Sequence, residues 1–195
     1  LIENFFIRIL RGSGLNGMVS LDQNTNHQNI NLFRPLLKFS KKNLENITKK
    51  VFKNYFEDPS NKNDKYKRVK IRNFIKNLEL EGLDKDKFNL TIKNLKFAND
   101  SIKYFVEKNL EENSKTQNNN KLVFLNKNFF DQPEEVVFRS LTKVIKKVGE
   151  NYYPARGKKV DKLINQIKNE NSFKTTLGNC IIKRVNNTII VSKEH

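Results

Sequence analysis

Apolar residues recur every three or four positions from the start of the chain. Leu1, Phe5 and Ile9, with Ile2 and Phe6, predict a helix over "LIENFFIRIL". It stops at "RGSGLNG", where three glycines in six residues predict a loop of tight backbone geometry. A polar Asn/Gln stretch runs to residue 29. "INLFRPLLKFS" then predicts a short strand leading to Pro35, with Ser40 capping a helix over 41–53 that carries Leu44, Ile47 and Val51 on one face. After the turn "EDPSN", a helix is expected from about Asp64 to Leu80, ended by Gly82.

Asp84 is expected to cap a long helix reaching about Leu110, with Phe88, Ile92, Leu95, Ile102 and Phe105 as its apolar face. "EENSKTQNNN" reads as a polar, mobile loop and "KLVFL" as a strand. "DQPEEVVFRSLTKVIKKVGE" has full helix punctuation: Pro133, Glu134 and Glu135 open it, Lys146 and Lys147 close it, and Gly149 follows. Val160, Leu163, Ile164 and Ile167 predict a helix over about 158–169. The end reads as short strands with a hairpin turn at Asn186-Asn187. No internal repeat is visible. The pattern predicts α/β followed by mostly α: residues 1–80 as the tail of an α/β domain, and 81–195 as a helical region closing in a small sheet.

Composition adds a polyanion to this picture. The 195 residues carry a formal net charge of +17, which favours a phosphate-bearing partner. Part of that excess follows from AT-rich coding, since Lys outnumbers Arg thirty to eight and Asn is abundant. The arginines are therefore the more informative cations, and five of them (Arg8, Arg11, Arg34, Arg68, Arg72) lie in the first 72 residues. No run approaches the roughly eighteen apolar residues of a membrane span, so a soluble protein is expected, with no membrane partner. The single Cys180 excludes an intramolecular disulfide and a Cys-based zinc site, and fits a reducing cytoplasm. His27 and His195 have no metal ligands at suitable spacing, so no metal site is expected in the chain's own side chains.

Several motifs could carry chemistry. "RGSGLNG" either ends a helix or cradles phosphate on its backbone amides beside Arg11; no Gly-Lys-Ser/Thr follows, so it is not a Walker loop. "EDPSN" is a good local turn as well as a candidate site. Arg68 and Arg72 stand four apart on one helix face, with Lys65 in line: either a solvated basic face or a row of cations for an anionic ligand. Tyr152 and Tyr153 beside Arg156, Lys158 and Lys159 either pack ahead of a helix or stack on single-stranded RNA.

The order of these motifs says more than any one of them. Glu3 in a helix, "LRGSGLNGM", "FRPLL" and "EDPSNKNDKYKR…R" resemble the tRNA(Ile)-lysidine synthetases of the PP-loop (N-type ATP pyrophosphatase) family. In that family a histidine–aspartate motif is followed by a helical glutamate, an Arg-Gly-x-Gly loop and an Arg-Pro-Leu-Leu segment. Glu/Asp-Asp-x-Ser-Asn comes next, then two arginines four apart. The resemblance covers residues 1–80. Val69 departs from it, since many members have Asn after the first of those arginines. The family's Ser-Gly-Gly-x-Asp-Ser loop and its histidine–aspartate motif are expected to precede Leu1, so the chain reads as a fragment.

The resemblance implies that residues 1–80 are the C-terminal part of a Rossmann-like PP-loop catalytic domain and that 81–195 bind tRNA. It implies a cytoplasmic ligase that uses ATP and Mg²⁺ to adenylate the wobble cytidine of an isoleucine tRNA with a CAU anticodon, which free lysine then attacks; a homodimer is one admissible assembly. Glu3 is then expected to hold the lysine ammonium, and Arg68 and Arg72 a phosphate or the lysine carboxylate. Arg11, Gly12, Ser13 and Gly14 would form the nucleotide-side wall. Arg34, Glu57, Asp58, Ser60 and Asn61 would serve substrate or the turn itself, and Tyr152, Tyr153, Arg156, Lys158 and Lys159 the tRNA. Two other readings stay open: another PP-loop tRNA modifier, such as a thiolase, although those usually carry paired cysteines, and a non-catalytic basic RNA-binding module.

Overall fold

The computed structural model describes the backbone of residues 1–27, 30–54, 56, 58–63, 65–118 and 121–194, and their side chains except at 26, 27, 38, 60 and 62. Glu57, Asp64, His195 and the side chains of His27 and Ser60 therefore lie outside the described residues. The chain divides into two compact units, Leu1–Asn99 and Asp100–His195.

In the first unit, α1 (Ile2–Ile9) is followed by a one-turn helix α2 (Leu15–Met18), so the glycine segment is less irregular than its composition suggests. Two strands, β1 (Asn24–His27) and β2 (Ile30–Phe33), pair antiparallel; β1 lies in the polar stretch for which the sequence predicts no element. A 3-10 turn over Pro35–Lys38 leads to α3 (Lys41–Phe52), whose cap is Ser40 as expected: its side chain accepts the Asn43 N–H at 3.1 Å. A second 3-10 turn covers Pro59–Lys62, and α4 (Lys67–Leu80) begins three residues later than expected. Gly82 closes α4 at φ +102°. Its N–H bonds the Glu79 carbonyl and the Leu83 N–H reaches the Leu78 carbonyl, a closure in which glycine's tolerance of positive φ is needed. The long helix α5 (Lys85–Asn113) follows, its first amides held by the Asp84 carboxylate, and the division between the units falls within it.

The core of this unit is small. Ile7 from α1 packs on Ile71 and Ile75 from α4, joined by Ile2, Phe6 and Leu83. Phe88 stacks on Phe6 at 5.3 Å and meets Phe5 edge-on at 5.4 Å. Val69 is buried at 7% exposure. The position that departs from the resembled motif is thus a core position, and a polar side chain there would be desolvated. By contrast, no described side chain between Ser20 and Arg68 is buried. The expected apolar face of α3 exists but lies open, with Ile47 53% and Val51 63% exposed.

The second unit is built on a five-stranded antiparallel sheet. Its strands are β3 (Ser114–Gln117), β4 (Leu122–Leu125), β5 (Lys174–Thr176), β6 (Cys180–Val185) and β7 (Thr188–Lys193), in the order β3-β4-β7-β6-β5. The expected mobile loop at 111–120 is corrected here. Residues up to Asn113 continue α5, and Ser114–Gln117 pair with β4, because backbone pairing with a strong apolar strand overrides their polar side chains. Helices α6 (Glu134–Val148) and α7 (Gly157–Asn169) cover the inward face. Leu125, Leu141, Ile145, Val160, Ile182 and Val191 are fully buried between them. The α5 face is also corrected: Phe105 is 52% exposed, and Val106, at 1%, takes the core position. Buried polar residues share the stripe. Asn109 donates to the Phe129 carbonyl and to Ser140, and Asn113 donates to Asn109, which satisfies these amides in the interior.

The turn before β6 sits tightly on the end of α6. A Cβ on Gly149 would lie 2.0 Å from the Gly178 carbonyl oxygen, and Gly178 holds φ +58°. Cys180, fully buried beside them, has its thiol pushed up to about 11, first by desolvation and then by the charge of Glu194. A raised thiol pKa stabilises the fold fully below the unfolded value near 9.0, and that contribution is lost as pH rises through about 11. The melting temperature should accordingly fall between pH 9 and pH 11 by more in the wild type than in Cys180→Ala. Parallel curves for the two proteins would contradict this.

Candidate functional site

Helices α1 and α4 pack through Ile7, Ile71 and Ile75, and this fixes what stands on their rims. Glu3, on the first turn of α1, accepts a hydrogen bond from Arg72 Nε on α4 at 2.9 Å. The two residues lie 69 positions apart in sequence, and each side chain is 39% exposed. The first and last motifs of the expected series thus meet in one place. Arg68, one turn earlier on α4, is exposed and has no ion-pair partner among the described residues. The opposed charges of Glu3 and Arg72 at an open rim can receive a ligand that itself carries an anion and a cation.

The glycine segment has two halves. The N–H groups of Arg11, Gly12 and Ser13 bond the carbonyls of Arg8, Ile9 and Arg8 at 3.2, 2.8 and 3.0 Å, with Gly12 at φ +66°. These amides close α1 and do not face a ligand. From Gly14, which caps α2 in extended conformation, the first-turn amides have no intrahelical acceptor. Arg11 is exposed. Arg8, counted among the informative arginines but given no site role from sequence, lies against the loop: its Nη1 is 4.0 Å from where a Gly17 Cβ would stand.

Arg34 is used inside its own hairpin. Its Nη1 donates to the Asp22 carbonyl at 3.1 Å and to Thr25 Oγ1 at 2.8 Å. Asp58 accepts the Asn61 N–H on its carbonyl at 3.0 Å, and so holds the turn that leads to α4. Among the described residues, no group of three His, Cys, Asp or Glu could hold a metal ion, and no helix is long and apolar enough to cross a membrane.

In the second unit, Tyr152 and Tyr153 are 53% and 74% exposed, with ring centroids 4.5 Å apart at 71°. They do not pack into the core ahead of α7. Arg156 stands at the N-cap position of α7, and Lys158 and Lys159 are exposed in its first turn, so these cations and the two rings flank one helix start. Sequence reading missed the groove beside them. About 700 Å³ in volume, it runs between α7 and β5 and is lined by Lys159, Lys162, Gln166, Asn169, Thr175 and Thr176. No local signal announces it, because it forms where a helix passes the edge strand of the sheet.

Residues 1–79 match the PP-loop domain family model. A tRNA(Ile)-lysidine synthase of Wolbachia pipientis is 26% identical over 193 residues, covering 98% of this chain and 45% of its own. Those of Orientia tsutsugamushi and Rickettsia bellii are 28% and 29% identical, covering 100% and 99% of this chain and 45% and 44% of theirs. The chain spans a little under half the length of these curated relatives.

Because Glu3 and Arg72 remain solvated, their mutual attraction should be small. A double-mutant cycle with Glu3→Gln and Arg72→Met should give a coupling of about 0–1 kcal/mol in urea unfolding, shrinking with added salt. A coupling well above that would make the pair a structural strut. Residues 1–79 carry a PP-loop domain match, and over nearly its whole length the chain is similar to the tRNA(Ile)-lysidine synthases, the family its ordered motifs resemble.

Proposed function

We propose that the chain is part of a tRNA(Ile)-lysidine synthase, which uses ATP to activate the C2 position of a wobble cytidine and joins free lysine to it. The observation that carries this reading is the Glu3–Arg72 pair, which unites the ends of a motif series spread over seventy residues. In this reading residues 1–80 are the C-terminal part of a Rossmann-like catalytic domain. The open apolar side chains between Ser20 and Arg68 support that, since a surface of this kind is ordinarily covered by another layer.

Lysine brings an ammonium and a carboxylate. Glu3 takes the ammonium on its carboxylate, and the terminal nitrogens of Arg72, with Arg68, take a carboxylate or phosphate. Arg11 faces the nucleotide side. ATP, with Mg²⁺ on its phosphates, supplies the adenylyl group when bound. The exposed tyrosines and cations at the start of α7, in the region 81–195, hold the isoleucine tRNA with its CAU anticodon by stacking and phosphate contacts, which position without reading sequence. The setting is cytoplasmic, and a homodimer fits the same reading.

The 195 residues alone should release no pyrophosphate above background with ATP, lysine and tRNA. In a protein extended to the length of its relatives, Arg72→Lys should lower lysine-dependent kcat/KM by roughly 30- to 1,000-fold, about 2–4 kcal/mol, while the melting temperature barely moves. Unchanged activity would remove Arg72 from the site.

The tRNA contacts are tested on the chain itself. Its tRNA affinity should fall with salt on a log–log plot, and Lys158→Gln with Lys159→Gln should reduce that slope by about two. An unchanged slope would place the tRNA elsewhere.

A further inference from the structure

The glycine segment is held from α5, a helix that lies beyond the residues matching the PP-loop domain. Asn99 on α5 is 1% exposed, and its amide donates to Asn16 Oδ1, in α2, at 3.3 Å. Lys96, one turn earlier on the same helix, binds Asp22 Oδ2 at 2.5 Å. Asp22 is itself anchored, its other carboxylate oxygen accepting the Gln23 N–H and its carbonyl accepting from Arg34.

These contacts fall where the segment needs support. The four-residue α2 contains no buried residue, and a single helical turn does not hold itself together in water. Its amino side is tied to α1 by the bonds of Gly12 and Ser13 to Ile9 and Arg8. On the other side, Asn99 and the Lys96–Asp22 pair fasten it to a 29-residue helix. A buried asparagine is a costly choice for a helix interior, where an apolar side chain would serve packing better. What it supplies is direction, because only an amide aimed at Asn16 sets where α2 sits.

We infer that Asn99 and Lys96 are positioning residues: acting through Asn16 and Asp22, they orient the Arg11–Met18 segment toward the phosphates of the nucleotide. The assignment rests on the reading above, in which Arg11 at the start of this segment faces the nucleotide side.

Two measurements test it. On the 195-residue chain, hydrogen exchange at amides 12–18 should quicken on the order of tenfold in Asn99→Ala and in Lys96→Met, while α6 and α7 keep wild-type protection. In the protein extended to the length of its relatives, both variants should raise KM for ATP about tenfold with kcat within about twofold. Lys96→Arg should restore both values, and Lys103→Met, which removes an exposed α5 cation that pairs with Asp100, should change neither. Wild-type exchange in both variants would show that α5 does not hold the segment. Faster exchange with an unchanged KM would overturn the positioning role. Absence of any ATP-dependent activity in the unaltered extended protein would instead overturn the functional reading, with the exchange data still deciding whether α5 is the clamp.

Discussion

The packing of α1 on α4 is the constraint on which the candidate site depends. Three isoleucines, Ile7, Ile71 and Ile75, bring together segments separated by more than sixty residues, and the aromatic cluster of Phe5, Phe6 and Phe88 stiffens one side. Apolar burial supplies the driving force, and it is indifferent to charge. The charge pair on the rim is a consequence: Glu3 and Arg72 meet because the helices beneath them have no other way to bury their stripes. A half-exposed ion pair contributes little to stability, so the packing, not the pair, carries the geometry.

The second unit is organised differently. Its sheet alternates inward and outward residues with period two, and α6 and α7 lay apolar stripes of period 3.6 on the inward face. The contact of Gly149 with the Gly178 carbonyl lets the turn before β6 settle on the end of α6, where no side chain would fit. That leaves the start of α7, with its cations and two exposed rings, and the adjoining groove on the surface of this compact unit.

Between Ser20 and Arg68 the described residues of the first unit form secondary structure with no buried side chain. Ile30, Phe33, Ile47, Val51 and Phe52 are all more than half exposed. Patterning announced β2 and α3 there, but a stripe is only a request for a partner surface.

Element types were largely legible in the sequence, because they depend on neighbours three or four residues away. The caps at Ser40 and Asp84, the punctuation of α6, the four apolar positions of α7 and the stop at Gly82 all follow from local chemistry. The ordered motifs also pointed to the residues that meet at the rim. Tertiary structure alone decided the rest. That Glu3 bonds Arg72, that Arg34 serves its hairpin and that Val69 is interior are facts about distant segments. The strand at 114–117 forms because β4 offers it a backbone ladder, against the polarity of its own side chains. The buried stripe of α5 contains Asn99, Asn109 and Asn113, which read as solvent-facing until their partners are in place. Periodicity reports which residues avoid water, whereas a buried amide is chosen for a particular acceptor, and that acceptor exists only once the chain has folded.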